Sequence, residues 1–420
     1  MAPVPAVLRT PAFRRVWLAS LASNAGSWLQ VVASGWLIFQ LTDSPAAVGA
    51  LALVTRAPAF VLSTYAGELA DRFDRRSVGM WTFGLQAVAA GTLALITFAG
   101  GASVPAIYVL TFAVGVGFAL GLPAMLALIP TLVPAPRLSQ AVSLNAAGIN
   151  VARLAGPAIG GGVLAAFGAT ACFALNAVSF LALVWVLWRI APRPPAAGRE
   201  RASTRQAIAY ARRDPAMRRL LLGVGLFTAL ASPVQELAPV VADRLDAGPE
   251  GLGLLLGAMG GGALLGAWLL EHLHGRGLPR HRALPISTIA FSGGLAIVAV
   301  TPWLVVGLAG MAFGGAFWIW QFAATNTAIQ LRAPEPLLGR MLGLYQLAVI
   351  GPIAIGSSVA GVAAQVVGIQ ATLLGCAALL ALWGAWSLRN AVVEIDAGRW
   401  SVDEGGDRVQ RPAGDPALDL

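Results

Sequence analysis

Three ionisable side chains lie inside long apolar runs, where a charge needs a specific role. Arg56 and Arg153 interrupt two runs in the first half, and Glu236 is the sole acid well inside a run of the second. A charge in hydrocarbon costs at least about 2.5–3.5 kcal/mol, so each should be paired or face water. Glu236 is therefore a candidate for titrating a proton or binding a cation, with a static ion pair and a wetted pore mouth as alternatives. The two arginines could compensate each other's helices, bind an anionic substrate group, or pair with Glu236.

Uncharged side chains in the apolar runs offer a second set of candidates. Gln30, Asn150 and Gln321 can both donate and accept hydrogen bonds. They could face a central cavity and contact a substrate, or they could bond one helix to another. Trp318 stands beside Gln321 in an aromatic run and is a candidate for the wall of such a cavity.

The sequence offers little for catalysis, metals or nucleotides. His272, His274 and His281 share one arginine-rich loop without a cysteine or acid cluster, which favours a solvated loop over a metal site. Cys172 and Cys376 both fall in apolar runs, where they are expected to be small buried hydrophobes. The chain has no G-x-x-x-x-G-K-[ST] phosphate loop. No cofactor, no metal and no enzymatic activity are expected.

Composition shows which kind of element must position these residues. Of 420 residues, 57% are apolar and only 11% are charged, and the mean hydropathy is +0.75. Soluble domains carry about a quarter charged residues, so a soluble enzyme and a nucleic-acid-binding protein are excluded. About 20 apolar residues form one membrane-spanning helix, and the apolar content allows about a dozen.

Long apolar runs bounded by Arg, Pro or Gly predict an all-α membrane protein with twelve spans. The predicted spans are Val16–Leu41, Ala46–Ala66, Val78–Phe98, Val104–Val133, Ser139–Phe167, Thr170–Ile190, Arg219–Val241, Gly251–Leu270, Ala283–Val300, Pro302–Ile329, Leu338–Val367 and Ile369–Leu388.

The basic residues predict how these spans are oriented. All 28 basic residues are arginine. If both termini lie on the same side of the membrane, every arginine except Arg56, Arg153 and Arg244 lies on that side too. Since cytoplasmic connections are enriched in Lys and Arg, both termini are expected in the cytoplasm.

The two halves repeat each other at an offset of about 200 residues. Pro134 and Pro136, after the fourth span, map to Pro334 and Pro336 after the tenth. Such an offset indicates a duplicated six-helix unit. The predicted organisation is a first six-helix bundle at 1–190, a cytoplasmic linker at 191–218 with a short helix at 204–213, a second bundle at 219–389, and an acidic, disordered tail at 390–420.

Two motifs resemble those of major facilitator superfamily transporters. The segment Gly67-Glu68-Leu69-Ala70-Asp71-Arg72-Phe73-Asp74-Arg75-Arg76 resembles the signature loop of that superfamily, with Asp74 where Gly is usual. The segment Arg153-Leu154-Ala155-Gly156-Pro157-Ala158-Ile159-Gly160-Gly161 is similar to its antiporter motif. Other short segments of the sequence resemble those of a bacterial exporter branch of this superfamily.

The resemblance implies two pseudo-symmetric bundles, a central cavity and alternating access. It implies a conformational role for Gly67, Asp71, Arg72, Arg75 and Arg76, with the three arginines able to bridge to the opposite half. For Gly156, Pro157 and Gly160 it implies gating.

We therefore expect a multi-pass, monomeric protein of the bacterial inner membrane. It would export a small amphipathic compound, such as a drug, a siderophore or a secondary metabolite, in exchange for protons. A proton-coupled uptake symporter and a transporter-like sensor without flux are the alternatives.

Overall fold

The computed structural model describes residues 6–191, 204–274 and 280–390, together with two short strands beyond them. The described chain is almost entirely helical, as its composition predicts. The helices are α1 (Pro11–Thr42), α2 (Pro45–Arg72), α3 (Arg75–Phe98), α4 (Val104–Leu128), α5 (Leu138–Trp188), α6 (Thr204–Arg213), α7 (Pro215–Ala231), α8 (Pro233–Glu236), α9 (Ala238–Arg244), α10 (Gly248–His274), α11 (Arg280–Val300), α12 (Leu304–Arg332), α13 (Leu338–Val367) and α14 (Ile369–Arg389), with 3₁₀ turns at Ala6–Arg9, Ile129–Leu132, Ala135–Arg137 and Glu335–Leu337.

Local sequence sets where several helices begin. Ser44 precedes Pro45 and accepts a hydrogen bond from the Ala47 amide at 3.3 Å, which caps α2. Asp74 caps α3 in the same way, and Asp214 caps α7 just before a proline. A side-chain oxygen satisfies the first free amides of a helix, and a proline in its first turn loses no hydrogen bond. These caps separate successive helices within very short connections.

Ten segments of the described residues are long and apolar enough to cross a membrane. This confirms a multi-pass membrane protein, although twelve spans were expected. The segment at 135–188 counts once but contains Gly168, whose φ of 77° and ψ of 176° break the helix. Helix α1 is not among the ten, although it has 32 residues, because Arg, Ser, Asn and Gln dilute its apolar content.

The seventh predicted span, 219–241, is not one helix. The chain forms α7, then the single turn α8, then α9. Pro233 and Pro239 each lack an amide hydrogen, so one helical hydrogen bond is lost at each of them, and here the helix breaks at Ser232 and at Leu237. Glu236 ends α8, at this interruption.

Helices pack mainly on neighbours from the same half. In the first half α1 packs on α5, and α3 and α2 both pack on α4; in the second, α10 and α11 pack on α12, and α11 also packs on α14. Most of the contact between the halves comes from two pairs, α2 with α13 and α5 with α10, and α2 also touches α8. Gly168 and Gly368, 200 positions apart, both adopt positive φ between consecutive helical segments, which supports the internal repeat.

The predicted short helix at 204–213 is confirmed as α6. Its residues Ala207 and Ala211 are buried against a cluster that includes Met217 and Tyr345, so α6 is fixed to the second half. Residues 192–203 of the predicted linker lie outside the described part. In the tail, Trp400–Val402 and Arg408–Gln410 pair as antiparallel strands, β1 and β2; the tail otherwise lies outside the description.

Candidate functional site

A direct ion pair joins the two halves. The Nη2 atom of Arg56, on α2, lies 2.6 Å from Oε1 of Glu236, at the end of α8. Their side chains are 24% and 13% exposed, so the pair is largely shielded from water. One of the alternatives open for Glu236 and Arg56, an ion pair between them, is what the structure shows.

The interrupted helix explains how Glu236 reaches this position. Pro239 has no amide hydrogen to donate to the Gln235 carbonyl, and Leu237 departs from helical geometry at φ −96°, ψ 17°. The chain bends here. The glutamate therefore ends a single helical turn opposite α2.

Arg153 lies inside the protein yet reaches water. Its side chain is exposed to solvent, although the protein surrounds it on nearly all sides, and it interacts electrostatically with Tyr345 and Arg56. This combination places it in a water-accessible space within the molecule. Asn150, one helical turn earlier on α5, is also exposed. Among the described residues the Arg153 guanidinium forms no hydrogen bond or ion pair.

Gln30 and Gln321 instead bond helices within one half. Gln30 is buried and its Oε1 accepts a hydrogen bond from Nδ2 of Asn176 at 2.6 Å. Oε1 of Gln321 accepts from the hydroxyls of Ser287 and Thr288 at 2.9 and 3.4 Å. These contacts match the alternative of bonding between helices.

Trp318 belongs to an aromatic cluster of the second half. Its ring centroid lies 5.6 Å from that of Phe227, 5.8 Å from that of Phe291 and 5.1 Å from that of Phe322. Both Phe227 and Phe291 are buried, while Trp318 is partly exposed. One edge of this cluster therefore reaches the protein surface at Trp318.

Arginines of the signature loop bind carbonyls within their own half. Arg75 donates to the Ala127 carbonyl at 3.0 Å. Arg76 donates to the carbonyls of Leu187 and Trp188, both at 2.8 Å. The predicted bridge to the opposite half is therefore not formed by these two in this conformation, because the last carbonyls of nearby helices are closer partners.

The remaining loop residues are placed only in part. Gly67 lies within α2 with open space around it, and Arg72 is exposed at the end of that helix. Asp71 lies in the last turn of α2, and its side chain is outside the described part. The side chains of His274 and His281 also lie outside the described part.

The antiporter-like motif packs tightly on two helices. A Cβ on Gly156 would lie 2.7 Å from Cβ of Trp28, and one on Gly160 would lie 3.2 Å from Cα of Leu29, so α1 covers both glycines. On the other side, Gly161 meets Gly253 of α10 so closely that its Cβ would overlap the Gly253 backbone. Pro157 lies within α5 and is buried among these contacts.

A second glycine pair repeats this contact on α2 and α13. A Cβ on Gly49 would lie 3.0 Å from Cα of Gly361, and the reverse distance is the same. Beside them Ser44 Oγ donates to Oε1 of Gln365 at 2.7 Å. All these contacts lie near the end of the molecule where α2 and α10 begin. The two halves are therefore closed together at that end.

Comparison with known proteins identifies the chain. A family profile described as a transmembrane secretion effector matches residues 2–406. The chain belongs to this family of major facilitator transporters. It is 30% identical over 358 residues, 84% of the chain, to proteins named enterobactin exporter from Shigella boydii serotype 18 and Escherichia coli O139:H28, and covers 85% of each. The expected superfamily and its exporter branch are confirmed, and the protein is a transporter rather than an enzyme.

Solved structures share the transporter's fold. A bacterial homologue of the human lysosomal transporter Spinster, inward-facing and unoccupied, matches with a TM-score of 0.73 at 14% identity, over 94% of this chain and 99% of that one. A structure of the nucleoside transporter NupG matches with a TM-score of 0.70 at 14% identity, over 91% and 99%. These likenesses confirm a major facilitator fold.

Sequence reasoning missed Tyr345 and the paired glycines. Tyr345 lies in an ordinary amphipathic pattern, and only the fold brings it near Arg153. The glycines did carry a signal, because Gly49 and Gly253 are 204 positions apart and Gly161 and Gly361 are 200 apart. Matching glycines at the repeat offset would have marked these four positions, but only the fold shows that Gly161 meets Gly253 and Gly49 meets Gly361.

Proposed function

We propose that this transporter exports a small organic compound in exchange for protons, by alternating access. The observation that carries the proposal is the Arg56–Glu236 ion pair between the halves. A titratable group that links two moving parts can couple its own protonation to their movement. Proton coupling and substrate are both part of this proposal.

The arrangement we propose is twelve crossings in two six-helix bundles, with both termini in the cytoplasm. Ten crossing segments are counted, one of them divides at Gly168, and α1 is long enough to be the last. The arginine asymmetry supports the orientation. On this orientation the glycine contacts close the outer end, and the structure is inward-facing. A monomer suffices, because both halves of the pathway belong to one chain.

The ion pair supplies the coupling step. With Glu236 ionised, its bond to Arg56 holds α2 against the second half near the closed end. An acidic substrate that enters from the cytoplasm competes with Glu236 for Arg56 and breaks this bond, so the closed end can separate and release the substrate outward. The freed Glu236 then takes up a proton from the outside, and the protein returns to the inward-facing state with that proton. Loss of the proton to the cytoplasm restores the bond to Arg56. None of these steps requires a nucleotide.

The charge of the interior favours a substrate with an acidic group. Arg153 reaches the internal space and has no hydrogen-bonding partner among the described residues. Arg56 is paired with a single carboxylate, that of Glu236. The partly exposed Trp318 gives the second half an aromatic surface for flat apolar groups. The relatives named enterobactin exporter support a siderophore-like compound, and acidic drugs or metabolites have the same chemistry.

Proton flux in everted membrane vesicles tests the proposal. A preformed pH gradient should collapse when acidic iron chelators or acidic drugs are added to wild-type vesicles. Glu236→Gln should reduce this collapse at least tenfold while the protein remains inserted. Asp243→Asn, an exposed acid on α9, should retain wild-type flux and serves as the matched control.

Two results would contradict the proposal. Full antiport by Glu236→Gln would exclude this residue as the proton carrier. Accumulation rather than depletion of the substrate in energised cells would indicate uptake by the same fold.

A further inference from the structure

A second cavity lies within the second half, away from the ion pair. It has a volume of about 80 Å³ and is enclosed by α7, α11, α12 and α14, where α7 begins and α14 ends. A single water needs about 10–15 Å³ of such space, so this cavity holds a group of about five heavy atoms. A phosphate group, with one phosphorus and four oxygens, is of that size.

The cavity presents two hydrogen-bond donors without partners. Arg219, on α7, is exposed at the edge of the cavity, and among the described residues it forms no hydrogen bond or ion pair. Gln321 is 4% exposed, and Ser287 and Thr288 already occupy its oxygen. Its amide nitrogen has no hydrogen-bond partner among the described residues. A guanidinium with a free amide is suited to bind an anionic oxygen group.

The corresponding place in the first half is where two helices meet at their cytoplasmic ends on the proposed orientation. There Arg76 reaches from α3 to the last carbonyls of α5, at Leu187 and Trp188. At the repeat offset of 200, which relates Gly168 to Gly368, Leu187 corresponds to Ser387. Ser387 lines the cavity, so the cavity lies at the place in the second half that corresponds to the Arg76 contact in the first.

The surroundings place the cavity at the level of lipid headgroups. Trp383 and Trp386 line it and stack at 5.0 Å between centroids, with a 23° angle between their planes. Leu382, 68% exposed, lies beside them, and the polar Asn390 follows within two turns. Tryptophans at a change from apolar to polar surface are typical of the membrane interface.

We propose that this cavity binds the phosphate of a phospholipid from the adjacent leaflet. Arg219 pairs with a phosphate oxygen at the mouth, and the Gln321 amide donates to a second oxygen inside. The acyl chains extend along the exposed apolar surface of α14. The site does not depend on the proposed export function, because it shares no residue with the Arg56–Glu236 pair.

Native mass spectrometry of the full-length transporter in detergent tests this site, with phosphatidylglycerol as the probe. Arg219→Gln should weaken the tightest lipid-binding event at least tenfold. The matched control is Arg218→Gln, since Arg218 is also exposed and unpaired in the described part of the chain but does not line the cavity. That variant should stay within twofold of wild type. Ser387→Phe, which fills the opening, should weaken binding as Arg219→Gln does.

Two further probes identify the source of the phosphate. Diacylglycerol, which lacks the phosphate, should bind the wild type and Arg219→Gln equally. Inorganic phosphate in tenfold excess should leave phosphatidylglycerol bound. Equal loss in the Arg218 and Arg219 variants, or displacement of the lipid by inorganic phosphate, would overturn the proposal.

Discussion

At the scale of single residues, three arginines in or near apolar segments have three different environments. Arg56 bonds to Glu236 across the halves, whereas Arg153 is exposed and has no hydrogen-bonding partner among the described residues. Arg244 donates to the carbonyls of Val298, at 2.6 Å, and Ala299, at the end of α11. A cation at a helix C-terminus satisfies free carbonyls and opposes the helix dipole. The environment of each arginine thus depends on which groups the fold places near it.

Asp214 permits a prediction about pH. Burial alone would raise the pKa of its carboxyl, but hydrogen bonds from the Arg332 guanidinium, at 2.6 and 3.0 Å, and from two amides outweigh burial and lower the pKa. Because the pKa is lower in the folded state, the ionised carboxylate stabilises the fold at pH values above its ordinary pKa of about 3.9. This stability is lost as the pH falls through the lowered pKa.

We therefore expect Asp214→Asn to lower the free energy of unfolding by about 1–3 kcal/mol at pH 7. Asparagine still caps α7, so this variant isolates the charge. Thermal unfolding of the detergent-solubilised protein should show the difference from wild type shrinking as the pH falls below about 4. A difference that stays constant over this range would contradict the assignment to charge.

At the scale of elements, glycines allow helices from opposite halves to touch through their backbones. Gly161 meets Gly253, and Gly49 meets Gly361. The helices α2, α5, α10 and α13 contribute one glycine each. The internal repeat relates each glycine of one contact to a glycine of the other contact. Without side chains between them, the backbones approach closely and gain packing over a short length. The glycine contacts themselves involve no charged group, so the Arg56–Glu236 ion pair is the titratable part of this interface.

A methyl group at one contact should favour the opened end. Gly161→Ala places a Cβ inside the Gly253 backbone, whereas a Cβ on the adjacent Gly162 meets nothing within 4 Å. Overpacking costs about 1–3 kcal/mol, so the closed population should fall about 5- to 150-fold relative to the open one. Transport by Gly161→Ala should decrease, and Gly162→Ala should behave as wild type.

At the scale of the whole molecule, the halves meet near one end and carry the ion pair about two helical turns inside it. Gly49 is seven residues from Arg56 on α2, or about 10 Å along the axis. The glycine contacts and the ion pair therefore lie on the same interface. If this end opens as we propose, both the glycine contacts and the ion pair must separate.

Cross-linking across the closed end tests this movement. Ser44 and Gln365 hydrogen-bond across the halves at 2.7 Å. With Cys172 and Cys376 replaced by alanine, Ser44→Cys combined with Gln365→Cys should react with a short bifunctional thiol reagent and lose transport. Cleavage of the cross-linking reagent should restore transport, and the Ser44→Cys variant alone should keep its transport after treatment with the reagent. Undiminished transport after complete cross-linking would show that this end does not need to open.

The sequence by itself determined the class, most helices and the family. Length of apolar runs specifies spans because the bilayer has a fixed thickness, and local capping and proline chemistry specify where helices start. It also indicated Arg56, Arg153 and Glu236, because an ionisable group in an apolar run is costly wherever it lies. The seventh span was predicted wrongly as one helix, because apolarity conceals the breaks at Pro233 and Pro239.

Only the tertiary structure decided which groups meet. Arg56 and Glu236 are 180 positions apart, and pairing at that separation depends on how whole helices pack. The same packing assigned Gln30 and Gln321 to bonds between helices, kept Arg75 and Arg76 within their own half, and brought Tyr345 to Arg153. A side chain's type fixes which bonds it can form, and its neighbours across the fold fix which of those bonds it does form.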